Sequence, residues 1–205
     1  MRVNLFCSLT KDDTKIIENG LNVGVDRGVE FLLNNELPIN IAIGDFDSIS
    51  EEHFKLMQEK AEEIISLNPV KDASDLDHAL DYFISLGYQK FHIYGALNGR
   101  ADHHFANIML LGKYREAEIA FVDENNNISL LLPGVHKIAK ENFKYLSLFA
   151  LKTAHLTVKG VKYPLNNYKM MRFHAIGVSN EILKETCEVE VHDGLVLVIK
   201  SNDAK

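Results

Sequence analysis

Along the first ~125 of the chain's 205 residues, short apolar runs alternate with stretches of helical period. The runs predict strands over Val3 to Ser8, Leu21 to Val25, Ile39 to Ile43, Ile64 to Leu67, Phe91 to Tyr94 and Glu118 to Val122. Leu76, Ala79, Leu80, Phe83 and Ile84 recur at i, i+3, i+4, i+7 and i+8, which predicts a helix. Ser74 is its expected N-cap, with Asp77 three residues on and Gly87 near its stop. Further helices are predicted from Asp102 to Gly112, with Phe105, Ile108 and Met109 on one face, and from Glu51 to Ala61. Lys11 to Asn19 carries no clear period.

Beyond Asn127 the rhythm changes. Tyr145 to Leu151, Leu156 to Val161 and Glu188 to Lys200 are β-rich and separated by turn residues. Asp193-Gly194, between two alternating apolar runs, predicts a hairpin turn. Strands alternating with helices imply a mostly parallel, Rossmann-like sheet, and serial short strands imply a sandwich. The expected fold is therefore an α/β domain over residues 1–127, followed by an all-β sandwich domain over 128–205, with the change near Asp123 to Asn127 and Pro133-Gly134.

Composition narrows the class without choosing a function. Hydrophobic residues at 46% and charged residues at 25% are ordinary for a soluble globular protein. A net charge of −7 with no basic stripe argues against nucleic acid as a partner. The first residues lack an apolar core of signal-peptide length, and no run has transmembrane length. Cys7 and Cys187 fit no metal spacing, so free thiols and a cytoplasmic location are expected, with no membrane partner.

The candidate chemistry gathers at strand ends. Ligands of a parallel sheet bind outside the carboxyl ends of its strands. Asp26 follows the second predicted strand, Asp45 and Asp47 the third, and Asp72 and Asp75 the fourth. Gly95 opens the loop after the fifth, which runs through Gly99 and Arg100 to Asp102-His103-His104. Taken alone, Gly44-Asp45-Phe46-Asp47-Ser48 fits a metal site or an Asx-rich turn equally well. Two like charges about 4 Å apart cost roughly 4 kcal/mol at an effective dielectric near 20, and a cation between them removes that cost. Carboxylates at nearly every strand end favour a site over turn preference, and hard oxygen donors suit Mg²⁺ carrying phosphates. Neither G-x-x-x-x-G-K-[ST] nor G-x-G-x-x-G occurs, so a nucleotide would rely on the metal, on helix starts near Ser74 and Asp102, and on the Gly95 to Arg100 loop. Arg100 suits charge stabilisation of a phosphate, although a surface arginine is the more common fate. Neighbouring histidines on a helix diverge, so at most one of His103 and His104 faces such a site, and His53, His136, His155 and His192 read as incidental.

These residues resemble the thiamine pyrophosphokinase family over nearly the whole chain. The resemblance rests on Val25 to Val29, Gly44 to Ser48, Lys71 to Leu76, Gly95 to Arg100 with Asp102, His103 and Asn107, and Ser147 to Phe149. Gly160 to Leu165 and Val178 to Glu181 complete it. It departs at Arg27, where glycine is common, at Ser74 for threonine, and at Tyr163 for tryptophan. The resemblance implies transfer of a pyrophosphoryl group from ATP to thiamine, giving thiamine diphosphate and AMP. Asp45, Asp47, Asp72 and Asp75 would hold Mg²⁺ and carry catalysis. Asp26, Gly44, Ser74, Gly95, Arg100, Asp102 and His103 would bind the nucleotide, and Tyr163, Ser179 and Asn180 the thiamine. It also implies a homodimer whose shared sites lie between one subunit's α/β domain and the other's β domain. Two rivals remain: a D-x-D glycosyl- or nucleotidyl-transferase leaves the β-half motifs unexplained, and a non-catalytic thiamine or nucleotide sensor leaves the carboxylates unexplained.

Overall fold

The computed structural model describes residues 1–205 apart from 12, 13, 15, 17–19, 69–72, 98 and 204–205. The chain forms two compact units, Met1–Glu124 and Asn125–Lys205.

The first unit is a parallel sheet with helices. Its strands are β1 (Arg2–Phe6), β2 (Leu21–Val25), β3 (Ile39–Gly44), β4 (Ala61–Ser66), β5 (Lys90–Tyr94) and β6 (Glu118–Val122), and its helices α1 (Gly28–Asn34), α2 (Glu51–Lys60), α3 (Asp75–Ser85) and α4 (Ala101–Lys113). The strand order is β6-β5-β1-β2-β3-β4, every pairing parallel. The chain builds outward from β1 through β4, then crosses back to place β5 on the other side of β1. That reversal puts a topological switch point between the carboxyl ends of β1 and β5, where a crevice is expected.

Burial follows position in the sheet. β1 is almost wholly buried, whereas the edge strand β4 exposes Glu62, Glu63 and Ile64. Phe6 stacks between Phe31 of α1 at 5.3 Å and Tyr94 of β5 at 5.0 Å, anchoring the switch point from below. α3 begins and ends as its sequence predicts. Ser74 Oγ accepts from the Asp77 N–H, and at the far end Gly87 (φ +89°) and Tyr88 donate to the carbonyls of Ile84 and Phe83, a Schellman closure.

One helix carried no expectation, and one expectation fails. The short α1 had no periodic signal, because Gly28, Val29, Phe31, Leu32 and Leu33 are all buried and leave no polar face to alternate with. The predicted apolar face of α4 faces outward: Phe105 is 67% exposed and Met109 50%, while the turn around Leu110 and Leu111 supplies the buried contact.

The described residues of the second unit contain strands and no helix: β7 (Asn126–Leu131), β8 (Gly134–Ala139), β9 (Tyr145–Lys159), β10 (Leu165–Met170), β11 (Gly177–Asn180) and β12 (Thr186–Ser201). β9 and β12 run antiparallel along their whole lengths. β7 and β11 flank one half of this pair, and β8 and β10 the other. Side chains from both halves, among them Leu146, Leu148, Leu156, Val189 and Val198, share one core.

The hairpin expected at Asp193-Gly194 does not form. Residues on both sides of it pair with the same strand β9, and the register shifts between Val191 and Val196 mark an irregular, bulged stretch. The Asp193 carboxylate accepts from the His155 N–H at 2.9 Å and lies 2.9 Å from His155 Nδ1, and Gly194 takes φ +90°. The Asp-Gly pair thus bends a long strand instead of reversing it. The two runs expected as separate strands, Tyr145 to Leu151 and Leu156 to Val161, accordingly fall largely in the single strand β9, which ends at Lys159.

Candidate active site

Three carboxylates converge just past β2 and β3. Asp26, Asp45 and Asp47 each offer an oxygen, and these atoms all lie within 4.8 Å of one another. Local backbone chemistry explains how. Asp26 takes a left-handed conformation (φ 49°), and its N–H donates to the Ile43 carbonyl at 2.9 Å, which ties the β2 exit to the end of β3. A Cβ on Gly44 would lie 2.9 Å from Asp26 Cα, so only glycine permits that approach. Phe46, also left-handed (φ 58°), is buried and packs edge-on against Phe54 at 6.3 Å. Its ring is the anchor of the turn, with Asp45 and Asp47 on either side.

The cluster's electrostatics fit a cation. Asp45 first, then burial and the charges of Asp26 and Asp75, push the Asp47 carboxyl above its usual range. Ser48 Oγ donates to Asp26 Oδ2 at 2.8 Å, whereas the buried Asp26 Oδ1 has no protein partner. A buried carboxylate oxygen lacking a donor, beside two more carboxylates, is the all-oxygen donor set that Mg²⁺ takes. Asp75, at the start of α3, is close enough for its charge to raise both Asp47 and Cys7. Asp72 lies outside the described residues.

The loops after β1 and β5 meet at the switch point. Gly95 (φ 69°) has no room for a Cβ against the Thr10 backbone N–H, and a Cβ on Gly99 (φ 84°) would lie 2.6 Å from Leu9 Cδ1. Asn107 of α4 donates to the Ala96 carbonyl at 2.8 Å and holds the loop from its other side. Arg100 and Asp102 form a two-pronged pair, Nε to Oδ1 at 3.1 Å and Nη2 to Oδ2 at 2.6 Å. That pair, with the His103 N–H on Oδ1, holds the Asp102 carboxyl down at about 2. Arg100 is 74% exposed, so its pairing faces solvent. His103 is exposed and His104 half-buried, and Ser74 uses its oxygen on its own helix.

Sequence reasoning missed Cys7 as a neighbour of the rim. It follows β1, and burial, then Asp75 and Asp26, push its thiol up to about 12, which makes it a poor nucleophile. Its place after β1 was the available signal. Ser48 was visible only as part of its motif.

In the second unit Tyr163 is 61% exposed, and the Lys162 ammonium stands 5.7 Å from its ring centre. Asn180 clamps Tyr163 by its backbone. The amide oxygen accepts from the Tyr163 N–H at 3.0 Å, and the amide nitrogen donates to the Tyr163 carbonyl at 2.8 Å. Ser179, left-handed and exposed, is held by donation of its N–H to Ser147 Oγ at 3.0 Å. Tyr163 and Asn180 are thus joined directly, and Ser179 precedes Asn180 on β11.

Comparison with known proteins agrees with both halves. Residues 14–122 match the thiamin pyrophosphokinase catalytic domain, and 135–196 match the thiamin pyrophosphokinase vitamin B1 binding domain. The chain is 35% identical to the thiamine pyrophosphokinase of Bacillus subtilis over 91% of its own length and 89% of the relative's. Solved structures similar to it include a thiamin pyrophosphokinase family protein from Enterococcus faecalis, at TM-score 0.91 and 32% identity with full coverage of both chains. The Bacillus subtilis thiamine pyrophosphokinase structure follows at TM-score 0.89 and 31% identity, again with full coverage of both. Two family domains in the right order, and whole-length similarity at this level, settle membership: the chain belongs to the thiamine pyrophosphokinase family.

Proposed function

We propose that the protein transfers the pyrophosphoryl group of ATP to the hydroxyl of thiamine, with attack at the β-phosphorus and departure of AMP. Formation of thiamine diphosphate from thiamine and ATP follows from family membership; the details are our reading. The observation that carries it is the convergence of Asp26, Asp45 and Asp47 around one cation-sized space. Asp45 and Asp47, with Asp75 and Asp72, are the catalytic metal-binding carboxylates, and Asp26 with its unpartnered oxygen joins them. Bound Mg²⁺ would supply charge neutralisation on the phosphates, which is most of what this class of reaction needs.

The chain's own groups do the positioning. Gly44, Gly95 and the Asn107 bond shape the backbone around the nucleotide, and Arg100, released from Asp102, meets phosphate charge. Ser74 and His103 lie at the helix starts that would face the nucleotide. In the β unit, which we read as a sandwich over residues 128–205, Tyr163 offers a flat ring to the cationic heterocycle and Ser179 a hydroxyl. Asn180 then acts through Tyr163, by fixing its backbone. The catalytic domain is 1–127.

A homodimer with shared sites is consistent with apolar side chains that each unit leaves open, Phe105 and Met109 in one, Phe173 and Ile176 in the other. A cytoplasmic location is consistent with the described residues, where no helix is long and apolar enough to cross a membrane. ATP labelled at the β-phosphate tests the chemistry. Label in thiamine diphosphate with AMP as co-product is expected; accumulation of ADP and thiamine monophosphate overturns it.

A further inference from the structure

We propose that Asp77, Lys113 and Tyr114 form a brace that holds the first turn of α3, and with it the Asp75 carboxylate, in place against the acidic rim. The inference rests on the reading of Asp75 as a metal-binding carboxylate.

Asp77 lies in the first turn of α3 with its side chain only 14% exposed. Its N–H caps the helix on Ser74 Oγ, but its carboxylate turns away from its own helix start. Lys113 Nζ donates to both oxygens, at 2.6 and 2.8 Å, and Tyr114 Oη donates to Oδ1 at 2.6 Å and lies 3.2 Å from the Asp77 carbonyl. Lys113 ends α4 and Tyr114 is its C-cap, so two consecutive residues of one helix end grip one carboxylate. Burial, then the bond to Asp77, pushes the Tyr114 phenol up to about 12, so it stays a donor at any physiological pH.

A helix start needs such help here. The first turn of a helix has unsatisfied N–H groups and the fewest internal bonds. Asp75 stands on that turn, and its charge reaches Asp47. Like charges on the two disfavour their close approach until a cation lies among the rim carboxylates. The brace ties that turn to the end of α4 through Asp77. The brace also couples α3, which starts at Asp75, to α4, whose N-cap is Arg100 and whose first turn carries Asp102. Asp77, Lys113 and Tyr114 are positioning residues and touch no substrate.

The experiment compares wild type with Tyr114→Phe, Lys113→Met, their double variant, Lys113→Arg and Asp75→Asn. It measures the half-saturating concentration of free Mg²⁺ above that complexed with ATP, kcat at saturating Mg²⁺, and Tm. Loss of an outer-shell partner of a metal ligand typically costs about 10- to 100-fold. The double variant is expected near the low end of that range in half-saturating Mg²⁺, with kcat at saturation close to wild type. Lys113→Arg, which keeps charge and donors, should restore wild-type Mg²⁺ dependence. Tyr114→Phe removes one oxygen and keeps the ring, so the test does not hinge on a variant that fails to fold. A lowered Tm with unchanged Mg²⁺ dependence in the double variant overturns the brace. If Asp75→Asn itself keeps wild-type Mg²⁺ dependence, the metal reading of Asp75 falls, and the brace falls with it.

Discussion

Asp47 in the first unit and Asp193 in the second are both exposed aspartates at irregular backbone, yet their surroundings pull in opposite directions. Asp45, Asp26 and Asp75 push the Asp47 carboxyl up, whereas the His155 side chain and N–H pull the Asp193 carboxyl down. The second unit answers several of its charges locally. Lys200, only 8% exposed, meets Glu141 at 2.7 Å with its ammonium 5.1 Å from the Phe143 ring, and Lys162 meets Glu181 at 2.7 Å. In the first unit no lysine or arginine among the described residues pairs with Asp26, Asp45 or Asp47. The contrast separates charge used to fix a fold from charge held ready for a ligand, and a carboxyl raised by neighbouring carboxylates, as Asp47 is, marks a candidate functional site.

The sharpest way to break the comparison is Asp47→Asn. It conserves shape and removes one repelling charge, so turnover should fall by about 10²- to 10³-fold, the typical loss on removing one electrostatic group from a transition-state site. Thermal stability should stay equal or rise. Near wild-type turnover at saturating Mg²⁺ would falsify the metal assignment and erase the distinction between the units. Gly194→Ala is the counterpart in the second unit. The new Cβ would lie 2.5 Å from the Thr153 carbonyl oxygen at a backbone φ of +90°. Overpacking and strain of this kind cost about 1 to 3 kcal/mol, read in a denaturant midpoint. A loss well below that range would mean the bulge relaxes freely and does not set the course of the strand.

Sequence and structure agree where the determinants are local. Strand ends carrying Asp26, Asp45 and Asp47 were legible because apolar runs locate the sheet and each run is followed at once by its carboxylate. The Ser74 cap and the Gly87 stop were legible for the same reason. What escaped depends on partners distant in sequence. Asp193-Gly194 has the chemistry of a hairpin, but His155, 38 positions away, takes the aspartate and keeps both flanks on β9. Asp77 reads as a capping residue, yet its carboxylate belongs to Lys113 and Tyr114. Asn180 reads as a ligand group, and both ends of its amide are spent on Tyr163. No pattern along the chain reveals that Asp26 Oδ1 lacks a donor, because that follows from how β2 and β3 exit together.

The smallest expected effect, and the one that sharpens the comparison most directly, is the acid titration of stability. An unfolded aspartate titrates near 3.9. Asp193 is depressed in the folded state, so the folded protein binds fewer protons at that position than the unfolded chain does. Its contribution is present above the unfolded value and lost as pH falls through the lower folded one. Asp47 is raised, so the folded protein holds a proton there that the unfolded chain has released, and stability declines as pH rises through its elevated folded value. The two replacements should therefore diverge. Asp193→Asn should be less stable than wild type near pH 6 and converge with it as the pH falls below the normal aspartate range. Asp47→Asn should be at least as stable as wild type near pH 6, and that advantage should also vanish on acidification, from the opposite side. Both side chains are solvent-accessible, so the differences will be small and will shrink with added salt. Chemical denaturation of the three proteins between pH 3 and 7, without Mg²⁺, reads both slopes. Slopes of the same sign would show that the two aspartates do not differ as their neighbours require.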